Sequence, residues 1–192
     1  MNDLQKRARP VAAVAIVLAA AACTGADTSK TGGAAPGSPP AMSVNDSASM
    51  IAQNLMKFDT LDLVIFSHQQ FDRFKESHAA DIIVTWPDGH ETHGLPQHIE
   101  DMKAMFVPMP DLSIPSHPIK IANGSWTAVV GRMTGTFTKP MPIGNGKSIP
   151  PTGKKLDMQM ATIGHWTAAG VMDHEWLFWD NQTYMKQLGL AK

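Results

Sequence analysis

One cysteine, Cys23, is all that 192 residues contain, so no intramolecular disulfide can hold this chain and its domain must rest on an apolar core. A chain of this length can bury one. There is no basic excess: the formal charge is −1, which leaves nothing to drive nucleic-acid binding. The apolar run from Val11 to Ala22 is too short to span a bilayer as a mature helix. No GxSxG nucleophile elbow and no HExxH or Cys-His ligand set occurs, which argues against a covalent hydrolase and a motif-built metal site. The stretch Gly144 to Ser148 is not a phosphate loop, because Met141 stands where the first glycine belongs and Pro150 and Pro151 bar a following helix. No internal repeat is present.

What is present begins with Lys6, Arg7 and Arg9 ahead of the apolar run, the anatomy of an export signal. Ala20-Ala21-Ala22-Cys23 resembles a bacterial lipobox, which implies a lipidated Cys23 and a membrane anchor facing outside the cytoplasm, in the cell envelope; an ordinary cleaved signal is the alternative. Removing residues 1–22 takes away three basic residues and one acidic residue and moves the formal charge from −1 to −3. Residues 23–46 are the lipidated cysteine and a Gly, Ala, Pro, Ser and Thr tether, with a reach on the order of 25 Å as a random coil. Residues 47–192 form the domain.

Within the domain, Ile51, Leu55 and Phe58 recur at helical spacing. Ser67 with Gln70 matches a capping box, and Phe71 and Phe74 predict a second amphipathic helix ending near His78. Asp81 to Trp86 reads as a strand entering a Pro-Asp-Gly turn. Pro96 suits a first helical turn, and Ile99, Met102 and Phe106 make the stripe of a third helix. Asn123-Gly124 marks a hairpin between 112–122 and 125–138. Two further alternating segments, from Leu156 and from Val171, flank a turn at Thr167 to Gly170. The proline-rich stretch from Pro140 to Pro151, ahead of these two segments, reads as a lid, a rim or a long hairpin connection. Helices packed on one face of a curved antiparallel sheet, an α+β arrangement, follow from this order.

Gly135 to Phe137, the turn Pro151 to Lys154, the acid-Trp strand with Glu175, Trp176 and Asp180, and Gln187 to Gly189 together resemble the SnoaL-like polyketide cyclase (ester cyclase) family of the NTF2-like superfamily, as do Thr85 to Gly94 and Phe106 to Leu112. The resemblance covers roughly residues 47 to 190 and implies a cone-shaped curved antiparallel sheet with helices on its concave face. It also implies cofactor-free, metal-free acid–base chemistry of cyclase, isomerase or hydratase type on a small apolar carbonyl or ester compound. The same cavity could serve instead as a non-catalytic binding site for a small hydrophobic molecule or a partner protein, and a second copy of the chain is a candidate partner.

The family's catalytic acid falls at Glu175, or at Leu177 in another alignment, and its cavity histidine at Thr162. Alternation puts Glu175, Leu177 and Trp179 on one face and Trp176, Phe178 and Asp180 on the other. A carboxyl group among such apolar neighbours is expected to titrate above its solution value. Glu175 is therefore the leading catalytic candidate, with His90 or His165 assisting and Asp180 either a second acid or the cap of a following helix. Trp86, Met160, Thr162 and Trp176 are the candidate substrate-binding residues. His90, His93 and His98 cluster in sequence, but their spacing points them apart. The thirteen methionines are read as core and cavity lining rather than as copper ligands.

Overall fold

A computed structural model describes residues 44–191; Cys23, the expected signal and all but the last three residues of the expected tether, which begin the first helix, lie outside them. Helix α1 (Val44–Thr60) runs into a π-helical turn, Leu61–Phe66, and then a 3-10 turn, Phe71–Glu76. The expected second amphipathic helix, from Ser67 to near His78, is thus reduced to the 3-10 turn. Phe71 and Phe74 fit one turn of either helix, but His78 already belongs to strand β1 (His78–Thr85). The short β2 (Glu91–His93) precedes α2 (Leu95–Phe106), which enters through Gly94 at φ 88° with proline in its first turn. Such a φ favours glycine.

The strands β3 (Ser113–Asn123) and β4 (Trp126–Thr136) form the expected hairpin, with Asn123 opposite Trp126 across the turn. The proline-rich connection is a small separate hairpin of β5 (Met141–Pro142) and β6 (Ser148–Ile149). Strands β7 (Lys155–Trp166) and β8 (Met172–Phe178) follow, and α3 (Asn181–Gln187) closes the order. The main sheet is six-stranded in the order β2-β1-β8-β7-β4-β3. It is antiparallel except where β1 lies parallel to β8, with Val84 opposite Glu175. This is the expected α+β fold of a curved sheet with helices packed against it.

The core sits between the sheet and the helices. Every second residue of β7, from Leu156 through Met158, Met160 and Thr162 to Trp166, is buried there. Trp166 donates its indole N–H to Thr127 Oγ1 at 2.9 Å, so its polar atom is satisfied inside. Burying side chains of this size contributes roughly 1.5–3 kcal/mol each. No helix among the described residues is long and apolar enough to cross a membrane.

Candidate active site

Glu175 and Leu177 alternate inward on β8, as do Met160 and Thr162 on the adjoining β7, and these four line a cavity of about 40 Å³. Its remaining wall includes Leu61, Asp62, Phe66, His78, His98 and Trp179. As it stands the space holds only a few water molecules. Methionines 102, 105, 133 and 160 line it, and their unbranched side chains can repack to admit something larger.

Glu175 is 5 % exposed, and its Oε2 lies 3.7 Å from His78 Nε2 and 3.5 Å from His98 Nε2. These separations exceed a hydrogen bond, and His78 Nε2 and Glu175 Oε2 have no other polar partner. The imidazole of His78 is fixed from behind, with Nδ1 3.0 Å from the carbonyl of Phe74 and 3.0 Å from Ser77 Oγ. A carbonyl only accepts, so Nδ1 carries a proton and Nε2 is the atom presented to the cavity. The ring stacks on Phe74 at 5.4 Å and meets the ring of His98 at 5.2 Å.

Burial alone would raise the Glu175 carboxyl, but the adjacent His78 and the charge of His98 outweigh it and hold the group below the ordinary glutamate value. The expectation of an upward shift is corrected here, because two imidazoles, invisible in the strand's own sequence, stand against the acid. Burial also dominates at His98, opposed by the charge of Glu175, and lowers it to about 4. At neutral pH the site pairs a carboxylate with a neutral imidazole. Such a pair can take a proton from carbon and donate a hydrogen bond to a carbonyl oxygen, the division of labour needed for enolisation.

His78, His98 and Glu175 also offer three ligand atoms within 4.8 Å of one another, a geometry open to a divalent ion. His98, grouped in sequence with His90 and His93, converges with these two residues instead. Metal-bound imidazoles usually donate their second N–H to an outer partner, which His78 has in the Phe74 carbonyl but His98, whose Nδ1 is buried with none, lacks. That missing support favours the proton-transfer reading.

The other expected residues are dispersed by the alternation of the strands. His90 is exposed in the turn, 2.5 Å from Asp88 Oδ1, and stacks on Trp86 at 5.6 Å. Trp86 is buried behind the cavity against His98, at 6.3 Å, and spends its indole N–H on Thr92. His165 points to the opposite face of β7, pairs with Asp173 at 2.6 Å and packs on Trp126. Trp176 is on that outer face too, stacked on His174 and Trp126. Asp180 caps α3, accepting from the Thr183 backbone N–H at 2.7 Å, and takes no part in the cavity. Met160 and Thr162 line it as expected, and no residue of the β5–β6 hairpin does.

Sequence reasoning missed His78, His98 and Asp62 as cavity residues. A signal existed for two of them. His98 lies four residues before Met102 on the apolar stripe of α2, and Asp62 lies four after Phe58 and four before Phe66. A polar group embedded in a helical apolar stripe faces the interior.

The model of the SnoaL-like polyketide cyclase family matches residues 60–188. Among solved structures, a SnoaL-like protein from Jannaschia sp. CCS1 is similar at TM-score 0.64 and 18 % identity, over 74 % of this chain and 96 % of that one. IdmH from Streptomyces antibioticus is similar at TM-score 0.57 and 19 % identity, over 74 % and 98 %. A Catenulispora acidiphila protein with a ketosteroid isomerase-like fold, in complex with trimethylamine, gives TM-score 0.54 and 12 % identity, over 67 % and 89 %. Likeness at these identities speaks for the fold. No curated protein matches the chain.

Proposed function

The chain belongs to the SnoaL-like polyketide cyclase family, and from that premise we propose that it is an acid–base enzyme of cyclase, isomerase or hydratase type acting on a small apolar carbonyl or ester compound. The observation that carries this is the buried Glu175 carboxylate, faced by His78 and His98 at the end of an otherwise largely apolar cavity. Glu175 removes a proton beside the carbonyl. His98, neutral at pH 7, donates a hydrogen bond to the oxygen on which charge collects, and His78, fixed by the Phe74 carbonyl, walls the cavity beside the base. The reaction needs no cofactor. Methionine repacking admits a substrate larger than the resting cavity, whose largely apolar walls then limit water around the carbanion.

The test is solvent-deuterium exchange at the α-carbon of small ketones and β-keto esters, beginning with cyclohexanone, followed by NMR. Glu175→Gln keeps the shape and is expected to lose about two or more decades of exchange rate with little change in ligand affinity. If that variant exchanges as fast as the parent, the assignment is wrong. A non-catalytic module holding a hydrophobic ligand in the same cavity is separated by the same pair of measurements, since it binds without exchange in both forms.

We place this activity at the outer side of a bacterial membrane through lipidation of Cys23, on the strength of the basic start, the apolar run and the sole cysteine. Cys23→Ser is expected to move the protein from the membrane fraction to the soluble envelope fraction. An unchanged distribution removes the anchor from the proposal.

A further inference from the structure

The chemistry above leaves unused a second set of titratable groups that runs from the cavity to the surface. Asp62 lines the cavity from the π-helical turn. Its Oδ2 is 2.9 Å from His117 Nε2, and His117 Nδ1 is 2.8 Å from Asp59 Oδ1. Asp59 Oδ2 in turn accepts from Lys120 Nζ at 2.6 Å. Side-chain exposure is 13 % at Asp62 and 2 % at the enclosed His117, then climbs to 31 % at Asp59 and 35 % at Lys120. We propose that Asp62 is a second acid–base group of the cavity and that His117 and Asp59 connect it to solvent as a proton relay. This rests on reading the cavity as a site of proton transfer.

The local backbone is shaped for the connection. Strand β3 slips its register on β4 between Ser116 and Ile119, at the Pro115-Ser116-His117-Pro118 segment, and a bulge of this kind re-aims a side chain. The imidazole is turned under the edge of the sheet instead of outward. Asp62 sits on a π-helical turn, a distortion common at functional sites.

Proton counting separates a relay from a clamp. A neutral imidazole has one N–H, and two carboxylates can only accept, so the short contacts at both ring nitrogens require one more proton in the group. It resides either on the ring, as imidazolium, or on Asp62. Burial raises the Asp62 carboxyl more than His117 lowers it, and the nearby charge of Glu175 adds to the rise, with His78 acting the other way. At His117 burial works against the charge, yet the hydrogen bonds and charges of Asp62 and Asp59 raise it above the ordinary histidine value. Asp59 is held below the ordinary aspartate value; burial opposes this, and Lys120 and His117 prevail. Both groups of the Asp62–His117 pair are thus raised above their ordinary values.

The transfer itself changes only O–H and N–H bonds. His117 Nε2 accepts the proton of Asp62 while Nδ1 passes its own to Asp59, and Asp59 releases it to water beside Lys120. One proton leaves the cavity and Asp62 is left as a carboxylate. The reverse sequence refills it.

The experiment is an NMR titration of the full chain with labelled aspartate carboxyl carbons and imidazole nitrogens, from about pH 5 to about pH 9. Asp62 and His117 are expected to titrate with a common midpoint, and Glu175→Gln is expected to move that midpoint, since it removes a charge from the same cavity. Asp62→Asn is expected to slow cyclohexanone exchange about tenfold or more, with an otherwise native amide spectrum. A His117 that stays doubly protonated across the range beside a fully ionised Asp62 is a fixed ion pair and overturns the relay. So does an Asp62→Asn variant with the parent rate. The titration is read without turnover, so it decides the relay even where Glu175→Gln overturns the acid–base reading.

Discussion

Two acid–histidine clusters face one cavity and are built to opposite tolerances. Around Glu175 the contacts to His78 and His98 are 3.7 and 3.5 Å and leave polar atoms unpartnered. Around His117 they are 2.8 and 2.9 Å and both ring nitrogens are engaged. A loose cluster keeps its lone pairs for something that is not yet there, whereas a tight one spends them on holding the fold and passing protons. Helix α1 and its π turn are fastened to β3 by the second cluster; the first is carried by the sheet and α2 and fastens nothing. Stability is therefore expected to concentrate at His117 and reactivity at Glu175.

The largest expected effect comes from breaking the tight cluster. His117→Ala leaves the buried Asp62 carboxyl without its partner and is expected to cost about 3 kcal/mol or more, measured by urea unfolding. Glu175→Gln, which removes a charge from a site with no close hydrogen bond, is expected to change stability by less than about 1 kcal/mol. Equal costs in the two variants would erase the distinction between the clusters.

Their pH responses are also expected to run in opposite directions. His98 titrates near 4 when folded and near 6.5 when unfolded, so the unfolded chain binds the proton first and stability falls as pH drops from 6.5 to about 4. The loss amounts to roughly 3 kcal/mol, and His98→Gln is expected to remove most of that slope. Glu175, lowered by folding, adds stability that is present above its unfolded value and lost as pH falls through the folded one. His117 and Asp62, both raised, contribute stability that is present below their unfolded values and lost as pH rises through the folded ones. Unfolding midpoints across pH in the parent, His98→Gln and Asp62→Asn separate these limbs. A flat acid limb in the parent would remove the desolvated state of His98.

What could be read in the sequence was what local pattern controls. Strand alternation put Glu175 and Leu177 on one face, the Asn123-Gly124 turn joined β3 to β4, and Pro96 opened α2, each decided within a few residues. The partners of Glu175 were not legible. His78 reaches it because β1 lies parallel to β8, a pairing between segments nearly a hundred residues apart that leaves no trace in either strand. His117, between two prolines, gave no sign of the bulge that turns it inward. Without those partners the carboxyl could only be assigned the shift that burial gives, which is why its direction was misjudged.

The smallest expected effect sharpens the comparison from outside the cavity. His165 pairs with Asp173 at 2.6 Å on the outer face of the same two strands, with side chains 33 % and 41 % exposed. By distance alone this pair is tighter than anything around Glu175. Exposure decides its worth: water screens the charges and solvates either partner left alone, so such a pair contributes at most about 1 kcal/mol. His165→Gln keeps a polar group of similar reach next to Asp173 and is expected to shift stability by less than about 0.5 kcal/mol and to leave cyclohexanone exchange unchanged. Should that variant lose tenfold in exchange, the outer face would be coupled to the cavity through β7, and distance from Glu175 would no longer mark where the chemistry ends.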